Sequence, residues 1–417
     1  MSGRLHLAVE LGAAGRHPGG WRLGTDAERR IGTDAERRIG TDAERRIGTD
    51  AERRIGTDAE RRIGTDPERL FGAEHHVELV RTAARGGLDL VALPDSLLPP
   101  SDDPASLPGT LDAVGIAARV APVVPGIGIV PTVTVTHTEP FHLSKAIATL
   151  DFVATGRAGW QPEVSRTLAE AELFGRTSDP REPGSLWREA GEVAEVVARL
   201  WDSWEDDAEI RDAATGRFAD REKLHHIDFT GEFFSVTGPS ITPRPPQGHP
   251  LTVLRGDEPA ALAVAGRYAD VVRVRADGIA AAAEARDRVR TAVADAGRDP
   301  EQVAVLLDVE TLLGPGAADR LAELDRLAPA GADISASTLR HVGDPAELAG
   351  LLRDAAEERA ADGFVLVPLA LPTGVGEIVD GLLPALGDAW APAPYDGTLR
   401  DRFGLGRPAN RYTSPVA

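Results

Sequence analysis

Eight short apolar runs alternate with segments of helical character along nearly the whole chain. The runs are rich in valine, leucine and isoleucine and lie at residues 5–11, 88–94, 127–136, 158–164, 250–256, 269–276, 303–309 and 363–370. The helical segments lie at 73–86, 109–120, 140–154, 186–201, 258–267, 278–297, 316–327 and 345–361. Near-continuous apolar strands are typical of parallel sheets covered on both faces. Because eight strands close a (β/α)8 barrel, the pattern predicts an α/β chain folded as a TIM barrel.

An open doubly wound sheet is the alternative architecture for alternating strands and helices. That fold usually carries a glycine-rich turn after its first strand, where a dinucleotide binds. Two glycine-containing stretches, GIGIVP at 126–131 and GVGEIV at 374–379, both lack the third glycine of that motif. The sequence also contains neither a P-loop nor a G-x-S-x-G motif. The closed barrel is therefore the preferred prediction.

Five identical octapeptides, GTDAERRI, fill residues 24–63, and an altered sixth copy, GTDPERLF, occupies 64–71. Eight residues are too few for the supersecondary unit that a solenoid repeats, which spans about 20–50 residues. In a helix the isoleucines of successive copies would rotate by about 80°, so they could not form one apolar stripe. The repeats therefore predict an expanded loop after the first strand of a fold that is complete without them.

One connection, residues 166–250, is much longer than an ordinary loop of a barrel. It follows the fourth strand, and loops after barrel strands lie at the C-terminal face, where active sites occur. We expect a single domain over residues 1–417, with 166–250 covering that face and 388–417 forming a C-terminal extension.

The composition excludes several classes of function. The chain has no cysteine, so disulfides, thiolate metal sites and cysteine nucleophiles are excluded. A net charge of −20 disfavours nucleic acid binding as a main activity. There is no apolar run of about 18 residues and no signal-peptide pattern, which predicts a cytoplasmic protein without a membrane span. Neither the HTEPFH stretch at 137–142 nor the adjacent histidine pairs have ligand spacing that indicates a metal site.

Several stretches in order along the chain resemble the luciferase-like flavin-dependent monooxygenases, and more narrowly the nitrilotriacetate and dibenzothiophene-sulfone monooxygenase type. They are RHPGGWR (16–22), LPDS (93–96), TEPFHLSKAIATLDFVATGRAGW (138–160), LWDSWEDDA (200–208), TGRFADREKLHHIDFTGEFFSVTGP (215–239), PRPPQG (243–248) and GTLRDRFGLGRPANRY (397–412). The resemblance implies a TIM barrel that uses reduced FMN and oxygen. It also implies a separate NAD(P)H:flavin reductase as partner and assembly as a homodimer or larger oligomer.

The same resemblance implies a set of cofactor-binding positions. Asp95 and Thr132 match residues that contact flavin in the family. Trp187 stands where the family has a tyrosine, and Asp257 and Glu258 stand where it has a phosphate-binding serine pair. Three further family positions are also changed, to Gly12, Gln161 and Pro183. Because so much of the polar shell differs, three hypotheses stay open: an altered FMN site, an F420-dependent oxidoreductase, and a non-catalytic barrel.

Candidate catalytic and substrate-contacting residues follow the predicted strands at the barrel mouth. His17 could donate a hydrogen bond to a peroxide or a substrate, and it is the candidate catalytic residue. The candidate residues of the substrate pocket are Trp21, His137, Trp160, Gln161 and Glu163. Each has a structural alternative, since Asp95 could cap a helix and the tryptophans could fill the mouth. The function predicted is oxidation of a small organic molecule with reduced FMN and oxygen.

Overall fold

The computed structural model describes residues 5–23, 67–99, 101–176, 182–391 and 396–413. The five identical octapeptides at 24–63 lie outside these residues. Eight parallel strands appear at the predicted places: β1 His6–Glu10, β2 Leu90–Leu93, β3 Gly128–Thr134, β4 Gly159–Glu163, β5 Leu251–Arg255, β6 Val271–Val274, β7 Ala304–Leu313 and β8 Gly363–Pro368.

The strands close into a barrel. Strand β1 pairs with β2 through Ala8 and Leu90, and with β8 through His6 and Gly363. The remaining neighbours follow the chain order, and β6 pairs with β7. An open sheet would leave β1 without one of these two partners. The predicted TIM barrel is therefore confirmed.

Helices alternate with the strands, as predicted. The eight predicted helices are α1 Ala73–Arg85, α2 Ala113–Val120, α3 Pro140–Val153, α4 Pro183–Asp202, α5 Pro259–Tyr268, α6 Ile279–Asp295, α7 Ala317–Leu327 and α8 Pro345–Glu357. Both α7 and α8 lie between β7 and β8, and the short helix Thr373–Glu377 follows β8. Local sequence explains several starts. Proline occupies the first position of α3, α4, α5 and α8, where its missing N–H costs nothing. Asp112 caps α2 by accepting a hydrogen bond from the Gly115 N–H.

Side chains alternate between two cores along every strand. Odd positions of β1, such as Leu7 and Val9, pack against the helices. The even position Ala8 faces the barrel interior together with Leu306 of β7 and Val365 of β8. This alternation decides which polar residues reach the barrel axis, because only the inward positions near the strand ends can do so.

Among the described residues, four short antiparallel strands within 166–250 and one further parallel strand were not predicted. Residues Leu339–Gly343 form a ninth parallel strand, which pairs with the last five residues of β7 beyond the barrel wall. Strand β7 itself runs to Leu313, four residues past the predicted end. The sequence TLRHVG that contains the ninth strand is half-buried and carries charged side chains, so it lacks the apolar signal of the barrel strands.

The 166–250 excursion differs from its expected position. Its beginning lies at the C-terminal face, but α4 is 20 residues long and crosses from one end of the barrel to the other. The part after α4 lies at the N-terminal end, where Gln247 donates hydrogen bonds to Asp151 and to the Ala158 carbonyl before β4. Only the first residues of the excursion therefore contribute to the C-terminal face.

The C-terminal extension closes the N-terminal end of the barrel. Leu399, Phe403 and Leu405 pack with the inward-facing residues of the strands. The Phe403 ring stacks on His6 at the start of β1, with 4.4 Å between ring centroids. Arg402 donates a 2.6 Å hydrogen bond to the buried Asp89 before β2. These contacts leave the opposite, C-terminal mouth as the accessible end. No helix within the described part of the chain combines the length and apolar character needed to cross a bilayer.

Candidate active site

Three adjoining cavities lie at the C-terminal mouth of the barrel. The central cavity has a volume of about 360 Å³ and is lined by charged side chains from β1, β5 and β7. The apolar cavity, about 280 Å³, lies between the loops after β1 and β2. The polar cavity, about 340 Å³, lies at the ends of β4 and β5. The central cavity shares Gly12, Gly15, Arg16 and Pro94 with the apolar cavity, and Arg255 and Arg275 with the polar cavity.

A buried arginine holds two carboxylates, Glu10 and Asp308, that line the central cavity. Arg273 projects inward from β6 and is 2% exposed. Its Nε and Nη2 donate to Asp308 of β7 at 2.9 Å each, and Nη2 also donates to Glu10 of β1 at 2.7 Å. A weaker bond of 3.2 Å joins Nη1 to the Gln161 side-chain oxygen of β4. The network ties four strands together across the barrel axis.

Electrostatics keep this network ionised. Burial alone would raise the pKa of the Asp308 carboxyl, but the charges and hydrogen bonds of Arg273 and Arg255 outweigh burial and hold this pKa below its ordinary value. Burial also opposes the charge of Arg273, whose pKa is nevertheless raised by Asp308 and Glu10. The charged groups at the base of the mouth are therefore already paired with one another.

The polar cavity contains the predicted phosphate positions. Asp257 accepts hydrogen bonds from the backbone N–H and Nε of Arg275, each at 2.8 Å. Glu258 precedes α5 and pairs with Arg166 at 2.6 Å. Both carboxylates are thus held by arginines that line the same cavity.

Trp187 of α4 also lines the polar cavity. Its side chain is 1% exposed, and its indole N–H has no hydrogen-bond partner among the described residues. The Arg166 guanidinium lies 5.9 Å from the centre of the ring. A buried N–H without a partner is costly, so an acceptor brought within reach of this donor would stabilise it.

His17 holds the loop after β1 against α7. The Gly19 N–H donates to Nδ1 at 3.1 Å, which fixes the tautomer so that Nε2–H donates to Asp325 at 3.1 Å. Burial lowers the pKa of the imidazole, and the Asp325 hydrogen bond offsets this only in part. A Cβ at Gly19 would lie 2.3 Å from the Leu324 carbonyl oxygen, so the loop packs directly on α7. His17 lines the apolar cavity, with both ring nitrogens engaged.

Trp21 and Asp95 also line the apolar cavity. The Trp21 indole N–H donates to the Ala105 carbonyl at 2.9 Å and so connects the loops after β1 and β2. Asp95 accepts from the Ser96 N–H at 2.7 Å and from the Ala113 N–H at the start of α2 at 2.9 Å. Its carboxylate therefore stabilises a helix N-terminus, which is the structural alternative given for it above.

The remaining predicted residues divide by the direction in which they face. Glu163 lines the polar cavity, and its carboxylate lies 3.7 Å from Arg255. Thr132 and Gln161 are buried, and the two residues are paired across β3 and β4. By contrast, Trp160 donates to Thr252 at 3.1 Å and packs edge-on against Trp201 in the layer between strands and helices.

His137 follows β3 at the C-terminal face but does not line any of the three cavities. Its Nδ1 accepts a 2.9 Å hydrogen bond from Arg176, and its ring stacks on Phe174. Among the described residues that line the three cavities, neither His137 nor Trp160 is present. The orientation of Trp160 is explained by the alternation of side chains along β4, because the even-numbered residues of that strand face the helices.

Several charged residues of the mouth were not predicted: Glu10, Arg16, Arg255, Arg273, Arg275 and Asp308. A signal for some of them is present in the sequence. Within β5 and β6, arginine ends or interrupts otherwise apolar runs, as in LTVLR and VVRV. A charge at an inward position of a barrel strand must reach the axis or find a partner there, and this rule could have identified Arg255 and Arg273.

Comparison with known proteins agrees with this fold. Residues 52–374 match the family model described as luciferase-like monooxygenase. The chain is 31% identical to the N-acetyl-S-(2-succino)cysteine monooxygenase of Bacillus subtilis, over 81% of this chain and 91% of that protein. It is 32% identical to nitrilotriacetate monooxygenase component A of Aminobacter aminovorans, over 82% of this chain and 92% of that protein.

A solved structure shows the same fold. The EDTA monooxygenase of Chelativorans sp. BNC1 superposes with a TM-score of 0.76 and 22% sequence identity, covering 97% of this chain and 99% of that one. The family match spans well over half of the chain and the curated relatives are aligned along most of their length. The chain therefore belongs to the luciferase-like monooxygenase family.

Proposed function

We propose that this chain is the oxygenase component of a two-component monooxygenase, which takes reduced FMN from a separate NAD(P)H:flavin reductase and uses oxygen to oxidise a small organic molecule. The observation that carries the proposal is the polar cavity at the ends of β4 and β5, in a barrel whose relatives are monooxygenases. A cytoplasmic location and a homodimeric or larger assembly belong to the same proposal.

The residues of the polar cavity fit a phosphate group. Three guanidiniums, those of Arg166, Arg255 and Arg275, line it, and guanidinium is the side chain best suited to bidentate recognition of phosphate. The Trp187 N–H supplies an additional donor that lacks a partner in the described structure. The free N–H groups at the start of α5 and its dipole add to the attraction for an anion. Asp257 and Glu258 oppose this attraction, because they already form ion pairs with two of the three arginines.

The adjoining central and apolar cavities suit the remainder of the reaction. When bound, the reduced flavin would supply the electrons with which oxygen is activated. The chain's own contribution is to position the two reactants and to limit access of water. Gly12, which stands where the family has a histidine, lines both cavities, and a Cβ there would meet Pro94 at 3.5 Å and the Gly15 carbonyl oxygen at 3.9 Å, both ordinary contacts. The absence of a side chain at this position leaves room where the two cavities join.

Binding of the cofactor separates this proposal from the F420 and non-catalytic alternatives. Under anaerobic conditions, reduced FMN and reduced F420 are titrated separately into the protein. We expect saturable binding of reduced FMN and a changed rate of flavin reoxidation when oxygen is admitted. Preference for reduced F420 would favour the hydride-transfer alternative. If neither cofactor binds, the non-catalytic barrel is the better hypothesis.

The phosphate subsite has a sharper test. Trp187→Phe keeps an aromatic ring and removes the N–H, so it should weaken FMN binding about threefold to tenfold, the worth of one hydrogen bond. Riboflavin lacks the phosphate, so its affinity should not change. Trp160→Phe is the matched control, since Trp160 is equally buried but donates to Thr252 outside the mouth. Equal effects of Trp187→Phe on both flavins would contradict the assignment.

A further inference from the structure

Arg16 lies where the central and apolar cavities meet and lines both of them. The backbone around it is held firmly. Its N–H donates to the Pro368 carbonyl at 2.9 Å, and the His17 N–H donates to the Leu369 carbonyl at 3.1 Å. Gly15, just before it, has φ of +102°, and a Cβ there would lie 2.5 Å from the Leu369 oxygen. The loop is therefore fixed to the end of β8, and Arg16 has a defined place at the mouth.

The carboxylates of the central cavity already have partners. Glu10 and Asp308 are both bound by Arg273. Glu310 accepts a 2.6 Å hydrogen bond from Arg340. An anion that enters the central cavity therefore meets neutralised carboxylates rather than free negative charge.

Arg16 is different from the other arginines that line the central cavity. Arg255 pairs with Asp308 at 3.1 Å, and Arg275 pairs with Asp257 at 2.8 Å. The Arg16 side chain makes no hydrogen bond or ion pair with any residue that the structure describes. The exposed Asp333 has a pKa lowered by hydrogen bonds from Ser335 and, to a smaller extent, by the charge of Arg16. The two side chains form no ion pair, so the guanidinium is available to a ligand.

The cavity on the other side of Arg16 is apolar. Its walls include Leu11, Leu93, Ile116 and Phe71, and its volume of about 280 Å³ suits a small hydrocarbon group. The polar groups of His17, Trp21 and Asp95 at its edge are engaged with protein partners. A ligand that satisfies both cavities therefore has an apolar body and one anionic end.

We propose that Arg16 determines substrate specificity, and that the substrate is an organic carboxylate whose anionic end pairs with Arg16 while its apolar body fills the apolar cavity. The role of this carboxylate as a substrate rests on the proposed monooxygenase function, whereas its binding at Arg16 does not depend on that function. The planar guanidinium matches a carboxylate through two parallel hydrogen bonds, which an alcohol of the same shape cannot form.

Calorimetric titration of the flavin-free protein with phenylbutanoate and with phenylbutanol tests the proposal. The two probes share the apolar body and differ in charge. We expect the unaltered protein to bind phenylbutanoate at least about tenfold more tightly, the worth of a charge-assisted hydrogen bond. Arg16→Gln should bring the two affinities to within about twofold. Arg16→Lys keeps the charge without the planar fork and should give an intermediate preference.

Arg81→Gln is the matched control, because Arg81 is an exposed arginine on α1 that does not line the cavities described. It should leave the preference for phenylbutanoate unchanged. No preference in the unaltered protein, or a preference that survives Arg16→Gln, would overturn the proposal. FMN titration of Arg16→Gln is expected to match that of the parent, since Arg16 does not line the polar cavity. If neither the parent nor any variant binds FMN, the monooxygenase function is contradicted, while the preference for phenylbutanoate can still be observed.

Discussion

Replacing Asp257 and Glu258 by serine should tighten FMN binding. In the folded chain the two carboxylates pair with Arg275 at 2.8 Å and with Arg166 at 2.6 Å. A phosphate entering the polar cavity must compete with them for these arginines and is also repelled by their charge. The double substitution removes the competitors and restores the residue type that the resemblance implies at these positions.

The size of the effect follows from the charges that line the cavity. Three arginines and three carboxylates line it, so its side chains sum to zero, and the double substitution changes this to +2. Two unit charges about 4 Å apart interact by about 4 kcal/mol at an effective dielectric of 20. The Arg166–Glu258 pair is 36–38% exposed, so solvent screening reduces the contribution of that pair to below about 1 kcal/mol. We therefore expect a net gain of about 1.5–3 kcal/mol, which is roughly a tenfold to hundredfold lower Kd for FMN.

Fluorescence titration of oxidised and reduced FMN, with riboflavin in parallel, measures this gain. Riboflavin should bind equally to the parent and the double variant, since it carries no phosphate. Asp354→Ser with Glu357→Ser on α8 removes the same two charges from an exposed surface and should leave FMN binding unchanged. The reasoning fails if the parent already binds FMN with a Kd below about 1 μM, near −8 kcal/mol, or if the double variant binds no more tightly.

Three further predictions concern stability. Excising residues 24–63 should shift the melting temperature by less than about 5 °C, and a larger loss in calorimetry would show that the repeats pack on the barrel. Arg273→Met should cost about 3–5 kcal/mol in urea unfolding, because Asp308 stays buried without its main partner, and a cost below about 1 kcal/mol would show that the network is dispensable. Burial raises the pKa of Asp151 from 3.8 to about 6. The stability that this shift contributes is therefore complete below pH 3.8, the pKa of the unfolded chain, and is lost as the pH rises through 6. Asp151→Asn should therefore gain up to about 3 kcal/mol relative to the parent between pH 4 and 7, whereas parallel pH profiles would refute the shift.

Most of the barrel could be predicted because its signals are local. Apolar runs such as LDLVALP and GFVLVPLA mark strands buried on both faces, and all eight lie where they were expected. The ninth strand at 339–343 was missed because its side chains are half-buried and partly charged. The course of the 166–250 excursion was predicted only in part. Its position depends on the length of α4 and on the pairing of Gln247 with Asp151, neither of which sequence spacing alone reveals.

The candidate site was less predictable from the sequence, since its groups come from distant segments. Glu10 and Arg273 are 263 residues apart, and they meet because both face inward near the same end of the barrel. Similarly, Arg166 reaches Glu258 only after β4 and β5 become neighbours. A linear sequence cannot show that Arg255 and Arg275 are paired while Arg16 is not.

The sequence by itself determined the strand and helix pattern, the closed α/β barrel and the family to which the chain is similar. These depend on hydrophobic periodicity and local motifs, which each segment carries without reference to the others. The tertiary structure alone decided which charges neutralise each other, which tryptophan faces the mouth, and which arginine stays available. Those properties depend on distances between side chains, and the distances are set only when barrel closure brings the strand ends together.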